Sequence, residues 1–228
     1  MVNKTAGLVC HPTRDGEMSS LVGRVRLHLG NAEGRLVNRL DRETSGVVLI
    51  AKNATTAGAL GKLLAASGAR KEYWAIVHGH VEPNDLTIDA PLGKDQQSAV
   101  AIKDAVRPDG AAARTDIRVK QRFERHSLPF TWLNVAPMTG RKHQIRIHLA
   151  HIGHPIVGDK IYGADELRYL RFIDGTLTEA DLDALMVTNH LLHARSLSFP
   201  RAGREVTFTA DPDAAWTSFG GILLTCRT

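Results

Sequence analysis

A continuous apolar run, Val47-Val48-Leu49-Ile50-Ala51, directly follows a charged stretch and a short polar turn. β-Branched residues and leucine dominate the run, so it predicts a buried strand over 47–52. The charged stretch, Asn38-Arg39-Leu40-Asp41-Arg42-Glu43, places the carboxylate of Asp41 between two arginines, and Thr44-Ser45-Gly46 forms the turn. A carboxylate held at the entrance to a buried strand is typical of a catalytic group. A surface turn whose aspartate pairs with arginine would show the same pattern.

Length and composition limit the class of protein. A chain of 228 residues with 43% hydrophobic residues can form one large domain with a substantial core. The net charge of +5 and the pI of about 9.4 are compatible with a polyanionic partner but do not require one. The two cysteines, Cys10 and Cys226, lie at opposite ends, which disfavours a disulfide scaffold and indicates a reducing compartment. The sequence shows neither a signal-peptide core nor the ~20-residue apolar run of a membrane span, so we expect a cytoplasmic protein.

Periodicity predicts an α+β fold with a mixed, mostly antiparallel central sheet flanked by helices and loops. Asn53 is a predicted cap for a helix over 54–67 that Gly68 ends, and Thr178 with Asp181 predicts a capped helix in an acidic segment. A further helix is predicted at 21–29. The predicted strands after the first cover 71–80, 113–123, 129–137, 191–200 and 206–210, with hairpins within 82–114.

A second polar segment combines a turn with a helix. Thr139-Gly140-Arg141 follows a predicted strand, and Ile145, Leu149 and Ile152 then recur at helical spacing before Gly153 ends the helix. Arg146 is one residue beyond Ile145, which places it on the flank of this helix and not on its apolar face.

Five arginines lie within nineteen residues around Asp41. They form either a solvated basic surface or a track for phosphates that leads to Asp41. The five are Arg24, Arg26, Arg35, Arg39 and Arg42.

Three segments taken together resemble the RluA-type pseudouridine synthases. The first is Asn38–Gly46, the second is Lys71-Glu72-Tyr73-Trp74-Ala75-Ile76-Val77-His78-Gly79, and the third is Thr139–Leu149. Each segment alone is weakly specific, but their order and spacing match over nearly the whole chain. Shorter supporting matches are Lys4-Thr5-Ala6-Gly7-Leu8, His11-Pro12, Gly153–Asp159, Tyr162-Gly163 and Leu192-His193-Ala194.

The resemblance implies isomerisation of uridine to pseudouridine within RNA, with neither a metal nor an organic cofactor. It implies that Asp41 is the catalytic carboxylate, that Tyr73 packs on the target base and is available for proton transfer, and that Arg146 pairs with the aspartate. Arg39 corresponds to an arginine associated with displacing the target nucleotide. Arg42 is either a phosphate contact or a surface charge. The residues that we predict to bind RNA are Arg39, Arg42, Arg141, His143 and Gln144.

Two positions depart from the family pattern, and the chain starts close to the first supporting match. Asn38 stands where the family often has His, and Thr5 stands where it usually has Pro. We expect a single catalytic domain over 1–228 without an N-terminal S4-type RNA-binding domain, acting as a monomer. The expected partner is a stem-loop of ribosomal or transfer RNA, and no membrane partner is expected.

The chemistry explains why an aspartate and an arginine would be paired. A carboxylate attacks a carbon or removes a proton only while it is ionised, and burial raises its pKa. A facing guanidinium lowers that pKa by ~1–3 units, remains charged and binds bidentately. We therefore hypothesise that Asp41 and Arg146 form a buried pair that keeps Asp41 anionic and aimed.

Three alternatives compete with this interpretation. His143, His148, His151 and His154 with Asp159 suggest a metal site, although Gly153 should break the helical face that they would share. A glycosidase would need a second carboxylate opposite Asp41, and no convincing one is present. A non-catalytic RNA-binding module of the same fold could retain the arginines.

Overall fold

A computed structural model of the protein describes residues 1–14, 16–30, 32–66 and 68–220. The chain divides into two units. The first combines Met1–Glu72 with His193–Asp213, and the second combines Tyr73–Leu192 with the segment that begins at Ala214. That both units act together as one catalytic domain stays a prediction.

The sheet of the first unit is mixed. Strand β3 (Ser45–Val48) follows the loop that contains Asp41. Strand β1 (Val2–Lys4) pairs antiparallel with it. Strand β3 also pairs parallel with β11 (Leu192–Arg201), and β11 pairs antiparallel with β12 (Arg204–Thr209). The predicted pair of C-terminal strands is therefore confirmed.

The predicted strand over 47–52 is interrupted. It runs as β3 and then as β4 (Ile50–Ala51), which pairs antiparallel with β2 (Arg35–Leu36). Between β3 and β4, the Leu49 N–H donates to the Asn38 side chain at 2.8 Å. This long-range contact diverts the Leu49 backbone from the sheet, which is why a continuous apolar run forms two short strands.

Two helices of the first unit begin at side-chain caps, of which Asn53 was predicted and Ser20 was not. Helix α1 (Leu21–Leu29) begins after Ser20, whose side chain accepts the Gly23 N–H. Helix α2 (Ala54–Ala65) begins after Asn53, whose side chain accepts the Thr56 N–H. The C-terminus of α2 was predicted wrongly: the helix ends at Ala65 and not at Gly68, and Ser67 lies outside the described residues.

The second unit is built on antiparallel strands. Strand β5 (Arg70–His78) enters it at Tyr73 and pairs with β10 (Leu128–Pro137), which pairs with β9 (Arg114–Arg125). The next strand is β6 (Asp85–Asp89), and a separate pair is formed by β7 (Leu92–Lys94) and β8 (Asp104–Val106). The pairing of β9 with β10 confirms the predicted partners, and the pair β7–β8 lies within the predicted hairpin region 82–114, whereas β6 pairs instead with β9.

Helices cover both faces of this sheet. Helix α3 (Gln144–His151) packs with Ala75, Val77, Leu133 and Val135, whereas α6 (Ala214–Gly220) contributes Trp216 and Phe219 to the core of the opposite face. Peripheral helices α4 (Leu167–Asp174) and α5 (Glu179–Leu185) follow, and α5 has the predicted capping box of Thr178 and Asp181.

These elements confirm the α+β class with a mixed, mostly antiparallel sheet, because β3 and β11 pair in parallel whereas the other strand pairs described above are antiparallel. No helix within the described residues has both the length and the apolar character needed to cross a membrane.

Candidate active site

The Asp41 loop connects β2 to β3 in the first unit. Asp41 is half-buried, whereas Arg39 and Arg42 on either side are exposed. The Thr44 N–H donates to the Asp41 carbonyl at 3.2 Å, which closes the turn before β3. The loop thus presents two cations to solvent around a partly sheltered carboxylate.

A buried lysine holds the residue after Asp41. Lys4 is 1% exposed, and its Nζ donates to the carbonyl oxygens of Thr5, Leu8 and Arg42 at 3.0, 2.8 and 3.0 Å. Burial lowers the pKa of Lys4 to about 8, while electrostatic interactions with Cys10 and Asp41 act in the opposite direction. Lys4 therefore ties strand β1 to the Asp41 loop.

A buried cysteine holds the residue before Asp41. The Cys10 Sγ donates to the Leu40 carbonyl at 3.3 Å and accepts the Leu40 N–H at 3.4 Å. Cys10 is 6% exposed. Because Leu40 and Arg42 are both held from the protein side, the backbone at Asp41 is fixed on both flanks.

The turn into β3 is fixed by β11. The Ser45 Oγ lies 2.8 Å from His193 Nδ1, and His193 Nε2 lies 2.9 Å from the Ala210 carbonyl. A carbonyl only accepts, so Nε2 carries the hydrogen, and in the neutral ring Nδ1 accepts from Ser45. Burial lowers the pKa of His193, which favours this neutral form.

Asn38, the departure from the family pattern, makes a contact of its own. Its Nδ2 donates to the Val47 carbonyl at 3.1 Å, and its Oδ1 accepts the Leu49 N–H at 2.8 Å. The side chain therefore binds the backbone of the strand that follows the Asp41 loop, and the substitution keeps the loop tied to that strand.

Four of the five arginines that precede or flank Asp41 are exposed, and Arg26 is half-buried. Arg26 forms an ion pair with Glu17 at 2.9 Å and donates to the Gly34 carbonyl, so its guanidinium is engaged in the fold. Arg24 donates from Nε to the Met18 carbonyl. Arg24, Arg35, Arg39 and Arg42 are exposed, so the basic surface that they form is open to solvent.

In the second unit, Gln144 holds the loop that precedes α3. Its Oε1 accepts from Thr139 Oγ1 at 2.7 Å and from the Arg141 N–H at 3.1 Å. Its Nε2 donates to the Arg114 carbonyl and to Thr115 Oγ1, both at 2.9 Å. Gln144 is buried and Arg141 is exposed, so Gln144 shapes the loop that carries Arg141 at the surface.

Arg146 forms a buried bidentate pair with Asp159. Arg146 Nε lies 2.7 Å from Asp159 Oδ2, and Nη2 lies 2.8 Å from Oδ1. Arg146 is 5% exposed, so the helix flank on which the sequence places it is buried. Burial would raise the pKa of Asp159, but the charge and hydrogen bonds of Arg146 hold it well below its usual value. The pairing of Arg146 with Asp41 stays a prediction.

Tyr162 connects Arg146 to His143. The Arg146 guanidinium carbon lies 5.0 Å from the centre of the Tyr162 ring, and the Tyr162 hydroxyl lies 2.9 Å from His143 Nδ1. Burial raises the pKa of the Tyr162 phenol, so it stays protonated at neutral pH. Its oxygen accepts the Asp104 N–H at 3.3 Å, which leaves the phenolic hydrogen for His143.

Tyr73 lies at the start of the β5 segment in the second unit, opposite Val135 of β10. It is half-buried and packs against the apolar cluster that contains Ala75 and Leu149. Part of the Tyr73 side chain therefore packs against the core, and the rest is accessible to solvent.

The histidines suggested as metal ligands have other contacts. His148 contacts Thr115 Oγ1 through Nδ1 and the Ala90 carbonyl through Nε2, while His154 contacts the His78 carbonyl. Across the described part of the chain, no group of three or more His, Cys, Asp or Glu could hold a metal ion.

Comparison with known proteins decides the family. The model of the family described as RNA pseudouridylate synthase matches residues 1–151 of the 228. The chain belongs to the RNA pseudouridylate synthase family. The RluA-type relationship predicted from the sequence is confirmed, because relatives named as ribosomal large subunit synthases C and D also match.

Two curated relatives and one solved structure illustrate the match to this synthase family. An uncharacterized RNA pseudouridine synthase of Chloroflexus aurantiacus is 37% identical over 91% of this chain and 61% of its own length. Ribosomal large subunit pseudouridine synthase D of Xanthomonas campestris is 34% identical over 92% and 62%. The structure of human RNA pseudouridylate synthase domain containing 1 has a TM-score of 0.74 and 25% identity, covering 96% of this chain and 82% of that one. The chain thus spans 61% and 62% of the two curated relatives.

The predicted synthase residues divide between the units. Asp41, Arg39 and Arg42 belong to the first unit, and the second contains Tyr73, Arg141, His143, Gln144 and Arg146. Within the second unit the structure brings His143 and Arg146 together through Tyr162. Sequence reasoning gave no role in the site to Lys4, Tyr162 or, outside the metal alternative, Asp159. The supporting family matches contain all three residues, but the contacts that link them to Arg42, His143 and Arg146 span 13 to 38 positions and leave no local pattern.

Proposed function

We propose that this chain isomerises uridine to pseudouridine in structured RNA, with Asp41 as the catalytic carboxylate. The observation that carries the proposal is the fixation of the Asp41 backbone from both flanks by buried Cys10 and Lys4. Precise placement of a reacting group accounts for a large part of enzymatic rate acceleration. A purely RNA-binding loop would not require it.

The reaction conserves all atoms of the uridine. The N1–C1′ bond breaks, the uracil rotates, C5 bonds to C1′, C5 loses its hydrogen and N1 gains one. Asp41 acts in its ionised form, either by attack at C1′ or by proton removal. Tyr73 provides an aromatic face for the uracil and a hydroxyl for hydrogen bonding, and Arg146 aims the carboxylate.

Access to the base requires extrusion of the nucleotide from its helix, at a cost of a few kcal/mol. We assign this step to Arg39, which is exposed beside the Asp41 loop. Arg42 and Arg141 are also exposed and suit contacts to phosphates. His143 and Gln144 belong to the loop that carries Arg141, and Gln144 would act by shaping that loop.

The proposed substrate is ribosomal RNA, with transfer RNA as the alternative. Relatives named ribosomal large subunit pseudouridine synthase support the first choice. We further propose that the protein acts in the cytoplasm as a monomer, in line with the unbridged thiol of Cys10.

The test is to map pseudouridines in RNA from cells with the protein, without it, and with Asp41→Asn in its place. We expect one or more pseudouridines to disappear in cells lacking the protein, to return with the wild-type chain, and to stay absent with Asp41→Asn. An unchanged map, or restoration by Asp41→Asn, would overturn the proposal. An unchanged map combined with RNA binding by the purified chain would favour the non-catalytic module.

A further inference from the structure

The Arg146 guanidinium is constrained along one edge by a carboxylate that is itself fixed. Asp159 binds its Nε and Nη2, and the Asp159 side chain is 0% exposed. Asp159 Oδ1 also accepts the N–H groups of Ile161 and Tyr162 at 2.9 and 3.0 Å. Because backbone donors hold the carboxylate, Asp159 cannot rotate with Arg146 and sets the direction of its guanidinium.

The same guanidinium is constrained along its face by an aromatic ring. The centre of the Tyr162 ring lies 5.0 Å from the guanidinium carbon. The ring is held in turn by contacts of its hydroxyl with His143 and the Asp104 N–H. A bidentate contact fixes rotation within the guanidinium plane, whereas an aromatic face restricts tilting of that plane.

We propose that Asp159 and Tyr162 are positioning residues for the reaction, which fix the Arg146 guanidinium in the orientation that it needs to aim the catalytic carboxylate. This inference rests on the proposed function, because it presupposes that Arg146 acts with Asp41. It assigns to Asp159 and Tyr162 a role that they exert through their contacts with Arg146.

The pair with Asp159 also changes the electrostatic role of Arg146. A guanidinium already compensated by one buried carboxylate offers a second carboxylate little net positive charge. The main effect of Arg146 on Asp41 would therefore be to orient the carboxylate, and its effect on the pKa of Asp41 would be small. Removing the charge of Asp159 should leave Arg146 uncompensated and lower the pKa of Asp41.

Other charged groups near this pair are retained in the proposed variants. His190 acts electrostatically on Asp159, and Asp104 acts on Tyr162 while pairing with Lys142 at 2.8 Å. His143 contacts the Tyr162 hydroxyl. Asp159→Asn leaves these groups in place. A shift in the acid limb of the pH profile of kcat would therefore report the change at Arg146.

The experiment compares Asp159→Asn with Asp181→Asn. Asp181 forms a similar bidentate pair with Arg171, at 2.8 and 2.7 Å, between the peripheral helices α4 and α5. Tritium release from RNA labelled at uridine C5 measures kcat, KM and the pH profile, and circular dichroism confirms that each variant is folded at the assay temperature. Both substitutions should lower stability, because each weakens a charged pair.

We expect Asp159→Asn to lower kcat by about tenfold or more, to leave KM for RNA within about twofold, and to move the acid limb of kcat to lower pH. Asp181→Asn should leave kcat and the acid limb unchanged. Tyr162→Phe, which keeps the ring, should retain more activity than Tyr162→Leu.

Two results would overturn the inference: a folded Asp159→Asn variant with wild-type kcat, or equal losses of kcat in Asp159→Asn and Asp181→Asn without a shift of the acid limb. Either result combined with an inactive Asp41→Asn would leave the proposed function standing. An active Asp41→Asn would instead refute the proposed function itself.

Discussion

The buried ammonium of Lys4 donates a hydrogen bond to the carbonyl oxygen of Arg42 at 3.0 Å. Arg42 directly follows the proposed catalytic carboxylate, and Lys4 ends the first strand of the chain. The same ammonium binds two further carbonyls, those of Thr5 and Leu8. The position of the Asp41 loop therefore depends on a segment some forty positions earlier, and this dependence can be tested.

Substitution of Lys4 by Met should lower both stability and turnover. The change removes the donor to three carbonyl oxygens, and a buried unsatisfied polar group costs about 1–3 kcal/mol. Displacement of the Asp41 loop should lower kcat by about tenfold or more. Chemical denaturation and tritium release measure the two effects. The matched control is Lys62→Met on the exposed surface of α2, which should change stability by about 0.5 kcal/mol or less. Equal effects of the two substitutions would contradict the proposed link.

The pKa of Lys4 predicts how stability depends on pH. Burial lowers this pKa from 10.5 to about 8 in the folded protein. Between these two values the unfolded chain binds more protons at Lys4 than the folded chain, so this residue makes stability rise with pH. The unfolding free energy of the wild type relative to Lys4→Met should grow by up to roughly 3 kcal/mol from pH 8 to 10.5. A difference that stays constant across this range would show that Lys4 has an ordinary pKa.

Two glycines of the first unit should respond to alanine in opposite directions. Gly46 has φ +115°, and a Cβ there would lie 2.3 Å from the Ala194 carbonyl oxygen. Gly46→Ala should therefore destabilise the protein by about 3 kcal/mol or more. Gly58 lies within α2 with no atom within 4 Å of its added Cβ, so Gly58→Ala should stabilise by about 0.5–1 kcal/mol. Thermal or urea unfolding measures both changes, and a tolerated Gly46→Ala would argue against the close packing of β3 on β11.

His193 should make the protein sensitive to mild acid. Burial lowers the pKa of His193 in the folded protein. Below the ordinary value of 6.5 the unfolded chain therefore binds more protons at this residue, and stability decreases as the pH is lowered. His193→Gln should remove this part of the acid dependence and lower stability at pH 8, because the contacts with Ser45 and Ala210 change. Urea unfolding from pH 8 to 5 gives both quantities. An unchanged pH slope in the variant would exclude His193 as a source of acid sensitivity.

Local patterns predicted the parts of the fold that depend on local interactions. The predicted caps Asn53 and Thr178 bind backbone donors three residues ahead, and apolar alternation identified β9 and β10. The break between β3 and β4 was missed, because Asn38 binds Leu49 across eleven positions. The pairing of the buried Arg146 with Asp159 was likewise missed, because Asp159 lies in the loop after the helix.

The sequence predicted the proposed site only through the three segments whose order and spacing match the family. They selected Asp41, Tyr73 and Arg146, whose types suit a carboxylate reaction on a stacked base. They did not reveal the supports at Lys4, Cys10 and Asp159, because the burial of lysine and aspartate depends on tertiary partners.

Tritium release by purified wild-type and Asp41→Asn protein, measured on C5-labelled RNA from cells that lack the protein, tests the central claim most directly. Formation of the C5–C1′ bond expels the hydrogen from C5, so release follows the proposed reaction itself. We predict release by the wild type and a loss of roughly a thousandfold or more in Asp41→Asn, with the variant folded and still bound to RNA. Equal release by both proteins, or none by the wild type, would contradict the assignment of Asp41 as the catalytic carboxylate of an RNA pseudouridine synthase.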